Sequence, residues 1–290
     1  MLKSKMFKAG TLGMLIFMIS PSVSSRAKDL FTDHAPVFTF SDSLGKSENL
    51  SSQGSVENCD PKETEKSAYP RIKLNAAAKK YVLQFIPKNL EDLEAIEKRS
   101  AKYFRIIEPV LESYGIPVEL KYLAVVESQL ITNAKSRVGA RGMWQLMPQT
   151  ARELGLKCKG KVDERTHAYK STVAAAKYLK YLYNQYGDWL LVIAAYNSGP
   201  GYVDKAIKKS GSRNFWKLQR FLPAETRGHV KRFIGTHHYF QEEGSVTVLT
   251  KAETIEHQKA IDAYTMKQKE TTTETEVALV EPNIVLENKK

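Results

Sequence analysis

From Leu74 to Phe240, apolar residues recur at three- and four-residue spacing in segment after segment, and strict apolar/polar alternation never persists. That pattern confines the chain to a mainly α fold. The spacing predicts helices over Leu74–Phe85 and Asn89–Tyr114, the second closed by Gly115 in the left-handed cap position. Pro117 then fits the first turn of the helix that follows. Shorter helices are expected at Gln149–Leu154, ended by Gly155, and at Trp189–Tyr196, capped by Asp188. Between them, Ser171 or Thr172 is expected to cap a helix that presents Ala175, Tyr178, Leu179 and Leu182 on one face. Gly201–Lys208 and Pro223–Phe240 complete the series, and the one convincing β run is Ser245–Leu249.

One residue breaks the pattern. The core stripe of the segment Pro117–Ser128 runs Leu120, Leu123, Ala124, and its next position is Glu127. A buried carboxylate is costly unless it is paired, hydrogen-bonded or protonated. A carboxyl kept protonated by desolvation is suited to general acid catalysis. The plain alternatives are a helix-end acid turned to solvent or a buried structural acid.

Three further islands follow Glu127-Ser128: Gly142-Met143-Trp144-Gln145-Leu146-Met147-Pro148, Ala195-Tyr196-Asn197-Ser198-Gly199-Pro200-Gly201, and Pro223-Ala224-Glu225-Thr226-Arg227. Each is weak alone. In this order, from about Ala76 to Gly244, they resemble the lytic transglycosylases of glycoside hydrolase family 23, and within these the membrane-bound lytic murein transglycosylase D group. The resemblance implies a lysozyme-like helical catalytic domain with disordered flanks. It also implies cleavage of the β-1,4 bond between N-acetylmuramic acid and N-acetylglucosamine without water, leaving 1,6-anhydromuramic acid ends. Rival readings are a hydrolytic muramidase on the same fold and a noncatalytic wall-binding protein.

By the same resemblance Glu127 is the catalytic acid and then the base, supported by Ser128, Tyr196 and Glu225. Gln145, Met143, Trp144 and Asn197 are the substrate-binding candidates. Each has a structural alternative. Ser128 is also placed as a helix-end hydroxyl bonded to backbone, and Met143 and Trp144 suit core packing. Asn197 suits a left-handed helix cap, and Glu225 suits an ion pair with Arg227 or a helix start. The family often carries tyrosine two residues after the last motif's arginine. Here that place holds His229, which either donates a hydrogen bond instead or is a surface residue, the reading favoured by sequence. His237-His238 lacks the spacing and partners of a metal site, so neither metal nor cofactor is expected.

The flanks differ in character. Lys3, Lys5 and Lys8 precede an apolar run from Ala9 to Ile19 and small residues to Ser25, which predicts a secretory signal peptide over 1–25. A flexible polar spacer is expected over 26–70, the transglycosylase domain over 71–244 (catalytic core about 105–244), and a polar tail over 245–290. In that tail one helix is expected around Ile255–Met266, and Lys269–Thr275 is expected to be disordered. Of the formal net charge of +12, residues 71–244 carry +14 against an acidic tail. A basic export-directed chain without a nucleic-acid recognition motif points to an anionic envelope polymer as partner. The resemblance makes peptidoglycan glycan strands the expected partner, and the expected place is the periplasm or cell envelope, soluble or peripherally associated; oligomeric state is unspecified. Cys59 and Cys158 admit at most one disulfide.

Overall fold

The computed structural model describes residues 69–159 and 162–280, with side chains to residue 269. The expected signal peptide, nearly all of the spacer and Cys59 lie outside the described residues, so the pairing of Cys158 does too.

The described chain is mainly helical, as the periodicity predicts. Helix α1 (Ala76–Ser113) is followed by a 3-10 turn (Val118–Leu120) and α2 (Lys121–Ser128), which carries Glu127. A long loop leads to α3 (Pro148–Glu153) and a two-stranded antiparallel ribbon, β1 (Cys158–Lys159) and β2 (Val162–Asp163), with Cys158 opposite Asp163. A 3-10 turn (Glu164–Thr166) opens onto α4 (Ala168–Tyr186), α5 (Trp189–Ser198), α6 (Pro200–Ser210) and α7 (Phe215–Leu218). After another 3-10 turn (Gln219–Phe221) come α8 (Ala224–Phe240), a 3-10 turn (Val246–Val248) and α9 (Lys251–Val280).

Helix α5 is the centre of the packing. Asp188 caps it, its Oδ1 accepting from the Leu191 amide at 3.2 Å, and Gly199 at φ 85° ends it. Trp189 to Tyr196 are all buried, so this helix is apolar on every side and must be enclosed. Helices α4, α6 and α8 enclose it, and α1 packs across α4 and α8. Helix α2 docks on α8 with Tyr122 to Val126 buried. That contact brings Glu127 to α8.

Several boundaries differ from the sequence reading. One helix of 38 residues replaces the two expected before Gly115, with Pro87 and Pro109 inside it. Each proline removes one amide from the ladder, but the buried stripe Val82, Phe85, Leu93, Ile96 continues past Pro87 and holds the segment helical. The Gly115 stop is as expected: the Ile116 amide donates to Leu111 O at 2.9 Å and Gly115 to Glu112 O at 2.9 Å, a Schellman closure. Helix α4 starts before Ser171. His167 is its cap, and Ser171 and Thr172 lie inside it, bonding back to His167 O and Ala168 O. The Ser245–Leu249 run is not a strand. The Ser245 hydroxyl accepts from the Thr247 amide and turns the chain into a 3-10 turn whose Thr247 and Val248 are buried. Helix α9 continues through Lys269–Thr275, where disorder is expected.

Candidate active site

Glu127 lies in the last turn of α2, and its side chain is only 13% exposed. Its Oε1 is 3.0 Å from Nε2 of His229, which projects from α8 and is 3% exposed. The sequence reading that favoured a surface His229 is therefore corrected. In α8 the residue falls on the buried stripe of Thr226, His229, Val230, Phe233 and His237, the helix on which α2 docks. Glu225 is four residues before His229 in α8, on the same face and one turn toward the helix start. It is half-buried, and among the described residues it has no ion-pair partner. Of its two structural alternatives, the helix-start place is the one it takes, in the first turn of α8, while Arg227 donates to Leu222 O at 2.8 Å.

After Glu127 the chain turns through two successive left-handed residues, Gln129 (φ 55°) and Leu130 (φ 63°), and Gln145 (φ 46°) is the third non-glycine residue of this kind. Such conformations persist where surrounding structure over-determines them. Here that structure is a row of loop carbonyls, each taken by a side chain from a different element. The Ser128 hydroxyl donates to Met143 O at 2.8 Å. Tyr196, from α5, donates to Trp144 O at 2.7 Å. The Arg165 guanidinium donates to Gly139 O at 2.7 Å and Leu146 O at 2.9 Å, and is itself clamped by both carboxylate oxygens of Asp163. Those bonds, first the side-chain hydrogen bond from Arg165, hold the Asp163 carboxyl below its ordinary range. Gln145 Nε2 donates to Gly142 O at 2.8 Å and Ala134 O at 3.3 Å.

The substrate-binding candidates therefore divide. Met143 (1% exposed) and Trp144 (0%) are core residues, and the Trp144 indole donates to Thr172 Oγ1 at 3.0 Å. Both take the core-packing place that the sequence also allows, under the loop. Gln145 spends its amide nitrogen on the loop, but its Oε1 has no partner among the described residues and is not sealed from solvent. Asn197 lies within α5 rather than capping it, and its Oδ1 accepts from the Thr226 hydroxyl at 2.9 Å, tying α5 to the start of α8. Its Nδ2 is left open in the same way. Ser128 takes the backbone-bonded reading and acts on the loop rather than on Glu127.

Tyr196 stands close enough to Glu127 for the carboxylate charge to act on it. Its phenol is pushed well above its ordinary range, chiefly by burial and secondarily by that charge, so it remains a donor throughout the working pH range. The sequence reading did not single out Arg165, took Thr172 only as a candidate helix cap, and gave Thr226 no role of its own within its motif. An arginine two residues after an aspartate carries no signal until the loop folds over it.

Gly142 is the tightest point. At φ 84°, a Cβ here would stand 1.8 Å from Arg165 O, so the loop and the 3-10 turn touch where only glycine fits.

Comparison with known proteins agrees with the motif order. Residues 106–219 match the model of the family described as Transglycosylase SLT domain. The chain is 38% identical over 152 residues to membrane-bound lytic murein transglycosylase D of Escherichia coli, covering 51% of this chain and 33% of that protein. It is 33% identical over 130 residues to the soluble lytic murein transglycosylase of the same species, covering 41% of this chain and 20% of that protein. The chain thus spans about a third or less of the length of these relatives. The 70 kDa soluble lytic transglycosylase structure from Escherichia coli superposes with a TM-score of 0.42 at 27% identity, over 50% of this chain and 26% of that one. Residues 106–219, the stretch that holds Glu127, Ser128, Gln145 and Tyr196, are thus similar to the Transglycosylase SLT domain and to the lytic transglycosylases that carry it.

Proposed function

We propose that this protein is a peptidoglycan lytic transglycosylase. It cuts the β-1,4 bond between N-acetylmuramic acid and N-acetylglucosamine, with Glu127 as the one residue that both gives and takes the proton. The observation that carries this reading is the placement of Glu127: a carboxyl next to the buried run Tyr122–Val126, largely enclosed, held through one oxygen by His229, with no partner for the other oxygen among the described residues.

In the first half-reaction Glu127 protonates the glycosidic oxygen as the C1–O bond breaks, and the N-acetylglucosamine end leaves as an alcohol. In the second, the carboxylate takes the proton of the muramic acid C6 hydroxyl while that oxygen bonds to C1. The 1,6-anhydro ring closes, Glu127 regains its proton, and no water is consumed. The open atoms of Gln145 (Oε1) and Asn197 (Nδ2) supply an acceptor and a donor for sugar groups at the rim of the same loop and helix end.

A hydrolytic reading is favoured by one observation, Glu225. Unpaired and one helical turn from His229, it is the acid best placed to activate a water, as the second carboxylate of glycosidases does. Digestion of purified sacculi separates the two. The transglycosylase yields muropeptides lighter by one water than the hydrolysed ones, and products with only reducing ends would refute the proposal. Glu127→Gln is expected to abolish cleavage while preserving the circular dichroism spectrum and sacculus binding.

The same reading places the protein at the cell envelope. The basic, then apolar, then small-residue order of residues 1–25 supports export, and no described helix is long and apolar enough to cross a membrane.

A further inference from the structure

We infer that His229 is a positioning residue that decides which oxygen of Glu127 performs the chemistry: it carries a proton on Nε2, donates it to Oε1, and leaves Oε2 as the working oxygen. This rests on the reading of Glu127 as acid and base. It concerns a histidine at a place where relatives often carry a phenol, so it is a property of this chain.

The argument starts from what lies on the two sides of the ring. Nε2 faces Glu127 Oε1 at 3.0 Å. Nδ1 is buried and has no hydrogen-bond partner among the described residues. A neutral imidazole has one N–H and one bare nitrogen. If the proton were on Nδ1, a buried donor would have no acceptor, and Glu127 would have to aim its own proton at Nε2, away from any substrate. If it is on Nε2, the donor is satisfied by Oε1 and only a lone pair goes unmatched. Buried N–H groups without an acceptor are rarer in proteins than under-used acceptors. An imidazolium would also carry hydrogen on Nε2, so the division of the two oxygens is the same whether the ring is neutral or charged.

The consequence for Glu127 is specific. With Oε1 occupied as an acceptor, the catalytic proton resides on Oε2, the oxygen with no partner among the described residues and with access to solvent. One oxygen then donates to the leaving group and later accepts from the C6 hydroxyl, with no rotation of the carboxyl between steps. His229 itself, 3% exposed behind Glu127, touches no substrate.

Nitrogen-15 NMR of the full-length protein labelled at histidine tests the proton's position directly at neutral pH. The His229 signals, assigned by their loss in His229→Gln, are expected to show a protonated Nε2. A bare Nε2 with the proton on Nδ1 overturns the inference. Turnover on soluble glycan strands gives the functional arm. His229→Phe fills the space without a donor and is expected to lower kcat about 10²-fold with KM changed less than about twofold, the pattern of a misplaced catalytic group. A kcat within about twofold of wild type also overturns it. Should His229→Phe fail to fold, the spectrum of the wild-type protein still decides. The Glu127 reading stands or falls separately, on whether wild type makes anhydro ends and Glu127→Gln does not.

Discussion

Tyr196 is a motif residue whose hydroxyl is spent inside the protein. Its hydroxyl donates to Trp144 O, and Ser128 and Arg165 do the same for neighbouring carbonyls, so donors from two motif islands and a 3-10 turn meet on the loop that is itself a third island. Removing one donor leaves a buried acceptor unpaired at a cost of about 1–3 kcal/mol. Tyr196→Phe is therefore expected to lower the unfolding free energy measured in urea by that amount, and to lower kcat because the loop beside Glu127 loosens. Gly142 gives a sharper contrast. Gly142→Ala must displace Arg165 O, 1.8 Å from the new Cβ, whereas Gly139→Ala meets nothing within 4 Å. The first is expected to cost more than about 2 kcal/mol and most of the activity, and the second only the penalty of a positive φ, about 1–2 kcal/mol. Comparing the two thermal midpoints checks this. At this scale Glu127 was legible because a carboxylate interrupts an apolar stripe. His229 was misread although it lies on the buried stripe of α8, and Arg165 was not legible, since it is buried by an element distant in sequence, the 139–146 loop.

Helix α8 carries both the site and a device that makes its stability depend on pH. His237, two turns beyond His229, is fully buried. Its Nε2 pairs with Ser245 Oγ at 2.8 Å, and Tyr122 and Phe233 pack on its ring. Burial, with lesser repulsion from His238 and Lys121, pushes its pKa down to about 3. The unfolded chain takes a proton there near pH 6.5, and the folded chain does not until about pH 3. The stabilisation is thus complete above pH 6.5 and lost as pH falls through that window, at up to about 1.4 kcal/mol per pH unit. Asp188 works in the opposite sense, because burial pushes its carboxyl up and favours the protonated folded form. His237→Gln is expected to flatten the fall in urea midpoint between about pH 6 and pH 4 by close to one proton. An unchanged slope would mean His237 does not carry it. The helices themselves were legible from periodicity and from Asp188 and Gly115. The errors have local causes: a buried stripe that overrides Pro87 in α1, and a serine cap that turns Ser245–Leu249 into a 3-10 turn.

Across the whole molecule, the ends of the described chain are stitched to each other rather than to the site. The Lys251 amide donates to Asp188 Oδ2 at 2.7 Å, and Asn75 donates to Glu253 at 3.0 Å, so the start of α9 secures both the cap of the central helix and the start of α1. Farther along, Tyr264 meets Tyr69 edge-on at 5.6 Å. These ties were invisible in the sequence, where the region past Ser245 read as a polar tail and only the Ile255–Met266 helix was legible. They divide α9 into an anchored first half and a remainder. Deleting residues 270–290 is expected to shift the thermal midpoint by less than about 2 °C, whereas Glu253→Ala, which also frees the Thr250 amide and hydroxyl, removes several bonds and is expected to lower it by about 2–4 °C. The charge distribution argues in the same direction, since the +14 of residues 71–244 lies in the folded domain and the tail is acidic. If that charge draws the domain to an anionic wall polymer, screening must weaken the attraction. Retention of Glu127→Gln protein on purified sacculi is then expected to fall about tenfold between about 0.05 M and 0.5 M salt, as the screening length shrinks to a few ångströms. The truncated protein should show the same dependence, because the residues it lacks carry no net positive charge. Salt-independent retention would place recognition in uncharged sugar contacts such as those open at Gln145 and Asn197.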